Sequence, residues 1–322
     1  MTSSGKPALA PRGLRHPAAP GAMPRKAVPR WRRQLVERLV EAVLLLAGWV
    51  SVAITLAIVG VLVYESVRFF RHVSLVEFVT GTVWTPQFAQ PRYGILPLVA
   101  GTLVTTAVAL AVALPVGTMV ALYLSEFAPA VVREVVKPAL ELLSAVPTVV
   151  YGYFALTFMA PLLQRVIPSL PTFNMLSAGL VMGIMIIPYV SSLSEDAMRS
   201  VPMLLREGSY ALGGNKTVTA LRVVVPAALS GIGAAYILGI SRAIGETMIV
   251  AVAAGMQPRL TFNPAEPAAT ITAFIVQVSL GDLPHGSTGY QSIFAAGSVL
   301  FLMTLAFNIA GHYLRRRFHQ RY

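Results

Sequence analysis

The chain has 322 residues, of which 56% are hydrophobic and 12% charged, and its formal charge is +12. Soluble domains carry roughly a quarter charged residues, so half that density excludes an ordinary soluble fold and points to a surface that faces lipid. Cysteine is absent, which excludes a disulfide framework and thiolate chemistry.

In chain order, Met1 to Arg33 comes first, with six prolines, eight Lys/Arg and no acid. Such a segment cannot bury a core, so residues 1–36 read as a disordered basic cytoplasmic tail. They do not read as a cleavable signal peptide, because the apolar run that begins near Leu39 is long enough to span and lacks a clear cleavage site. Residues 37–95 then hold a first transmembrane helix and an extracytoplasmic segment. Stretches free of Asp, Glu, Lys and Arg mark the spans: Ala42–Tyr64, Tyr93–Ser125, Leu142–Gln164, Val166–Ser194, Val223–Ser241 and Leu283–Leu314. A spanning helix needs about 20 apolar residues. Five runs reach that length, and Val223–Ser241 reaches it by continuing as helix past Arg242 and Glu246 to about Gly255. The prediction is an all-α polytopic membrane protein with about six transmembrane helices.

Pro115 and Pro147 fall inside predicted helices, where neighbouring helices and water can satisfy the freed carbonyls. Pro168 and Pro171 belong to a loop before the fourth helix, and Pro267–Leu280 has the apolar content of a short helix on or in the membrane. Glu195-Asp196 ends the fourth helix and reads as a solvated or interfacial pair.

Charge bias sets orientation. The N-terminal segment, the second and fourth connections and the C-terminal tail hold 19 Lys/Arg, against five on the opposite side (Arg68, Arg71, Arg92, Arg165 and Arg259). Both termini are therefore expected in the cytoplasm. The segregation accounts for the basic total without nucleic acid. The five histidines are scattered and show no metal spacing.

Two constellations carry chemistry. The first is Glu207-Gly208-Ser209-Tyr210-Ala211-Leu212-Gly213, followed by nine residues and then Val223-Val224-Val225-Pro226. It reads as a short helix, a glycine break and a return into the fifth span. Leu204, Leu205, Leu212, Val218 and Leu221 give it more apolar surface than a solvated loop needs, as a helix that docks into a partner's groove would have. A plain interfacial loop is the alternative. The second constellation is Arg242 and Glu246 inside an apolar span, four apart and so expected on one helical face. It is either an anion site or an internal ion pair that orients helices. An arginine fork matches the oxygens of phosphate.

The spacing around Glu207 resembles the cytoplasmic coupling loop of ABC-importer permeases, departing from the usual Glu-Ala-Ala opening at Gly208 and Ser209. Gly208 should weaken that helix by about 1 kcal/mol relative to Ala. Arg242-Ala243-Ile244-Gly245-Glu246-Thr247 resembles the corresponding helix of permeases in phosphate-specific ABC importers, and Met248 is more like the C-type subunit. The Tyr-Gly in Val146–Gly152, the run Thr80–Pro86 and the run Tyr93–Pro97 are similar to other segments of that family. The resemblance implies a permease core over residues 96–315 with a coupling loop at about 199–226, and a short cytoplasmic tail over 316–322.

It also implies a function: a plasma (inner) membrane subunit moving inorganic phosphate inward, itself not an enzyme and holding no cofactor. ATP and Mg are expected on a partner. Implied partners are an A-type sister permease, two copies of an ATP-binding subunit and an extracytoplasmic phosphate-binding protein. Substrate-path candidates are Arg242, Glu246, Tyr151, Ser144 and Thr148. Glu246 either holds Arg242 or accepts a proton from phosphate. Tyr151 either lines the path or packs, and Ser144 and Thr148 either donate to an oxyanion or satisfy carbonyls near Pro147. Coupling candidates are Glu207, Gly208, Ser209, Gly213 and Pro226. A permease for sulfate or molybdate and a non-transporting scaffold for phosphate sensing are the rival readings.

Overall fold

The computed structural model describes residues 30–318. The tail expected over residues 1–29, and residues 319–322, lie outside the described residues. The chain forms two compact units, Met1–Ala57 and Ile58–Tyr322. In the first, the described residues are helical and belong to α1 (Arg30–Phe70), so helix occupies residues 30–36, which composition had assigned to the tail. The apolar side chains of Leu44, Trp49 and Leu56 are exposed, as suits a helix surrounded by lipid.

The second unit contains the end of α1 and eleven further described helices. They are α2 (Leu75–Thr80), α3 (Leu96–Leu122), α4 (Ala130–Ala145), α5 (Thr148–Gln164), α6 (Met175–Arg199) and α7 (Met203–Ala211), then α8 (Lys216–Ala227), α9 (Leu229–Ile244), α10 (Met248–Ala253), α11 (Ile271–Gln277) and α12 (Thr288–Phe318). Among the described residues the sole strand-like feature is one antiparallel bridge, Trp84 with Tyr93. Four helices, within α1, α3, α6 and α12, are long and apolar enough to cross a membrane. The bent pairs α4–α5 (88°) and α8–α9 (68°) raise the number to six if each pair is one span.

Those bends correct two expectations. Pro147 is not inside a helix: it separates α4 from α5. Val146 before it is extended (φ −64°, ψ 131°), because proline's ring disfavours the helical region for its predecessor. Arg133 and Lys137, expected in a loop, lie on α4. The fifth span is not continuous either. It is helix from Lys216, bends at Ala228, and stops at Ile244.

The bundle is centred on α3 crossing α6. Gly101, Thr105, Ala109, Ala113, Gly117 and Ala121 recur every fourth residue and are all buried on α3. Gly179 and Gly183 face this stripe from α6. A methyl group on Gly183 would lie 2.8 Å from the Ala109 carbonyl, and one on Gly179 would lie 2.7 Å from Val108. Lipid tails are as apolar as leucine, so helices in a membrane associate through close backbone approach, and small residues at four-residue spacing permit it. Threonine hydroxyls on α3 are satisfied locally: Thr102 donates to the Leu98 carbonyl and Thr105 to that of Gly101, both at 2.8 Å.

A second buried cluster holds the segment between α1 and α3 against α11. Phe69, Phe78, Trp84, Tyr93 and Phe274 meet edge to face. A third, with Ala121, Met198, Val224 and Ile232, joins the ends of α3 and α6 to α8 and α9.

Gly183→Val should force α3 and α6 apart. Overpacking costs roughly 1–3 kcal/mol, so the folded yield in detergent and the melting temperature of the purified protein should both fall. Gly60→Ala, where an added methyl meets nothing within 4 Å, should leave both unchanged.

Candidate functional site

Arg242 lies in the last turn of α9, a favourable end for a cation. The helix then stops. Gly245 caps it, and Glu246 and Thr247 form a break before α10. Arg242 and Glu246 therefore do not share a helical face, and no ion pair joins them. The buried Glu246 carboxylate instead serves the next helix: its Oε1 accepts hydrogen bonds from the backbone N–H groups of Met248 (3.1 Å) and Ile249 (3.4 Å). Those donors have no partner inside α10. The Glu246 carbonyl accepts from Thr272 Oγ1 at 2.7 Å, which ties the break to α11.

The Arg242 guanidinium lies over the ring of Tyr189 on α6, 4.3 Å from its centroid, and its Nε is buried without a hydrogen-bond partner. No carboxylate among the described residues pairs with it. Tyr189 also lines a cavity of about 210 Å³ with Lys137, Ser144, Pro188, Ser192 and Glu195. The structure thus places Arg242 and Ser144, of the five path candidates, around one ring and its adjoining cavity. Sequence reasoning missed Tyr189. Its position beside Pro188 in an apolar helix was the available signal, and a weak one.

The other candidates lie at the α4–α5 bend. The buried Tyr151 hydroxyl donates to the Leu143 carbonyl at 2.8 Å, one of the acceptors that the bend strips of its helical partner. Ser144 Oγ donates to the Glu141 carbonyl at 2.7 Å, and Thr148 opens α5. Tyr151 acts here as a brace for the bend.

The Glu195-Asp196 pair, expected to be solvated or interfacial, divides, and Glu195 is the member that is not solvated. Its side chain is fully buried, while Asp196 is exposed. Lys137 Nζ lies 3.0 Å from Glu195 Oε2, a contact of charge rather than a directed hydrogen bond, and 2.9 Å from Asp196 Oδ1, to which it donates. Arg133 (3.8 Å) and Arg199 (3.4 Å) also approach Glu195. A buried carboxylate needs such partners, and α4 supplies two of them. Arg133 further donates to the Leu124 carbonyl at the end of α3 (2.9 Å).

Outside the bundle core, α7 carries Glu207, Gly208 and Ser209, and none of its residues is fully buried. Leu204 and Leu212 are 78% and 91% exposed. Gly213 has φ +83°, a conformation that favours glycine, and lets the chain turn so that the Gly214 N–H bonds to the Ser209 carbonyl at 2.9 Å. Ser209 Oγ lies 2.8 Å from Thr219 Oγ1, joining α7 to α8, and Pro226 is exposed near the α8–α9 bend. The loop has an anchor that no sequence spacing reveals. Arg206 Nη2 donates to Glu126 Oε1 and to the Met198 carbonyl, both at 2.9 Å, with both charged side chains largely buried. These contacts fasten α7 to the ends of α3 and α6.

An apolar helical bundle whose spans are broken, with an arginine at one break and an exposed helix outside, fits a membrane permease. The profile described as binding-protein-dependent transport system inner membrane component matches residues 113–322, and the chain belongs to that family. It is 34% identical over 290 residues to a probable ABC transporter permease, YqgH, of Bacillus subtilis, covering 89% of this chain and 94% of that one. It is 37% identical over 262 residues to the phosphate transport system permease protein PstC 1 of Mycobacterium tuberculosis, covering 73% and 77%. The corresponding PstC of Xylella fastidiosa is 34% identical, covering 72% and 76%. Among solved structures, a bacterial ABC transporter involved in import of the acidic polysaccharide alginate aligns with TM-score 0.61 at 16% identity, covering 89% of this chain and all of that one. At that identity the likeness concerns the fold.

Arg206→Ala should leave Glu126 buried and unpaired, which costs about 3–5 kcal/mol when one member of a buried pair is removed. Limited proteolysis should then cut between Met203 and Lys216 at least tenfold faster than in the native chain. Equal cutting rates would show that the loop is held by other contacts.

Proposed function

We propose that this chain is the membrane-spanning subunit through which inorganic phosphate enters the cytoplasm in an ATP-driven importer. The observation that carries the reading is Arg242: a half-buried guanidinium at the end of α9, paired with no carboxylate among the described residues and set on the Tyr189 ring, which itself lines a cavity. Arginine near the bilayer centre costs about 2.5–3.5 kcal/mol on insertion scales, so its position asks for a charged or polar visitor. Its fork of N–H donors suits a tetrahedral oxyanion. The names of the relatives supply the choice of phosphate.

In this reading both termini are cytoplasmic, as the Lys/Arg bias suggests, and α7 faces the cytoplasm. There its exposed apolar residues and Glu207 dock on an ATP-binding subunit, one of two copies that hold ATP and Mg. An A-type sister permease completes the path, and an extracytoplasmic binding protein delivers phosphate. This chain catalyses no covalent step. When the nucleotide subunits close, α7 transmits the movement to α8 and α9 by chain continuity and to α3 and α6 through Arg206.

Arg242→Gln should permit normal assembly with the partner subunits and lower uptake of radiolabelled phosphate at least tenfold. Unaltered uptake would favour a scaffold role. Labelled sulfate or molybdate entering in place of phosphate would reassign the substrate. Glu207→Ala should leave basal ATP hydrolysis in place while reducing its stimulation by the loaded binding protein.

A further inference from the structure

A ring rather than an acid holds Arg242. Its guanidinium carbon is 4.3 Å from the Tyr189 ring centroid. A contact of this kind uses the flat face of the guanidinium and leaves the N–H donors, which radiate in its plane, for other acceptors. A carboxylate partner would take those same in-plane donors, often two at once. The nearest acid in sequence, Glu246, is committed to the N–H groups of Met248 and Ile249. Arg242 is therefore oriented without being saturated, and its buried Nε still lacks an acceptor.

We infer that Tyr189 is a positioning residue for oxyanion transfer: its ring parks Arg242 with the donors open, and its place on the wall of the adjoining cavity sets the route along which the anion leaves. This inference rests on the reading of Arg242 as a phosphate-path residue. Tyr189 also lines a largely apolar cavity whose polar residues are Lys137, Ser144 and Ser192 together with the acids Glu141 and Glu195, the latter countered by Lys137, Arg133 and Arg199. An incoming tetrahedral oxyanion meets donors that no protein acceptor has to vacate. When the anion moves on, the ring recovers the cation, so that Arg242 returns to the same place for the next cycle. The aromatic face is the operative part, and the hydroxyl is dispensable.

The test uses the assembled importer in proteoliposomes, with loaded binding protein and ATP in excess, and measures radiolabelled phosphate moved per assembled complex. Tyr189→Phe and Tyr189→Trp keep a ring face and should transport within about twofold of the native chain. Tyr189→Leu keeps apolar bulk without the ring and should lose about tenfold. Recovery by Phe and Trp separates positioning from packing, because a structural role would be served better by Leu than by the larger Trp. If Leu matches the native rate, or if Phe falls as far as Leu, the assignment to the ring is overturned. If Arg242→Gln transports normally in the same assay, the path reading itself fails, and Tyr189 with it.

Discussion

Within a membrane, every backbone polar group released by a break in a helix must find another partner, because the hydrocarbon supplies none. Leaving one unmet costs about 1–3 kcal/mol. This chain breaks its helices repeatedly, and local side chains meet the freed groups. At Pro147 the Leu143 carbonyl receives the Tyr151 hydroxyl. After Gly245, the first N–H groups of α10 receive the Glu246 carboxylate, while Thr272 bonds to the Glu246 carbonyl. At the start of α6 the buried Asn174 accepts from the Ser177 N–H at 2.7 Å. Each break is thus fixed in geometry, and two of them hold the residues of the candidate path.

Fixed breaks need a stiff frame, which the α3–α6 crossing provides. Backbones that approach as closely as those at Gly179 and Gly183 leave little room for sliding. From this frame α6 presents Tyr189 toward α9 and Glu195 toward α4. Arg206 reaches the same frame from outside, through Glu126 at the end of α3 and the Met198 carbonyl on α6. The exposed helix α7 is therefore connected through the covalent chain to the helix that carries Arg242, and through the Arg206 hydrogen bond to the Met198 carbonyl to the helix that carries Tyr189. A push on α7 acts on both halves of the Arg242–Tyr189 contact.

Much of this was legible in the sequence. Charge-free runs located the spans, and Gly213 marked the end of the loop helix. The breaks were not legible, because an apolar run records what faces lipid and not where hydrogen bonding stops. Four-residue spacing suggested that Arg242 and Glu246 pair, yet Gly245 ends the helix between them and the carboxylate finds backbone donors first. Glu195 was read within a solvated or interfacial pair because two of its three cations come from α4, 58 residues away in the case of Lys137. Such long-range partners leave no periodic trace. The small-residue stripe on α3 was present in the sequence, at Gly101, Thr105, Ala109, Ala113 and Gly117, and a search at four-residue spacing would have found it.

Two buried acids near the candidate path show why Arg242 is not neutralised in place. Glu246 and Glu195 are both buried, but each is engaged elsewhere, with the backbone of α10 and with the cations around α4. That division leaves Arg242 with only the modest attraction of a ring, on the order of 2 kcal/mol when desolvated. A bidentate carboxylate would hold the guanidinium more firmly, and a passing anion would have to displace it. A carrier needs binding strong enough to admit its solute and weak enough to release it. Holding the cation by its face meets the first requirement, since the donors stay open. It also suits the second, since the neighbouring Lys137 is already shared between Glu195 and Asp196. The local chemistry therefore favours passage over capture.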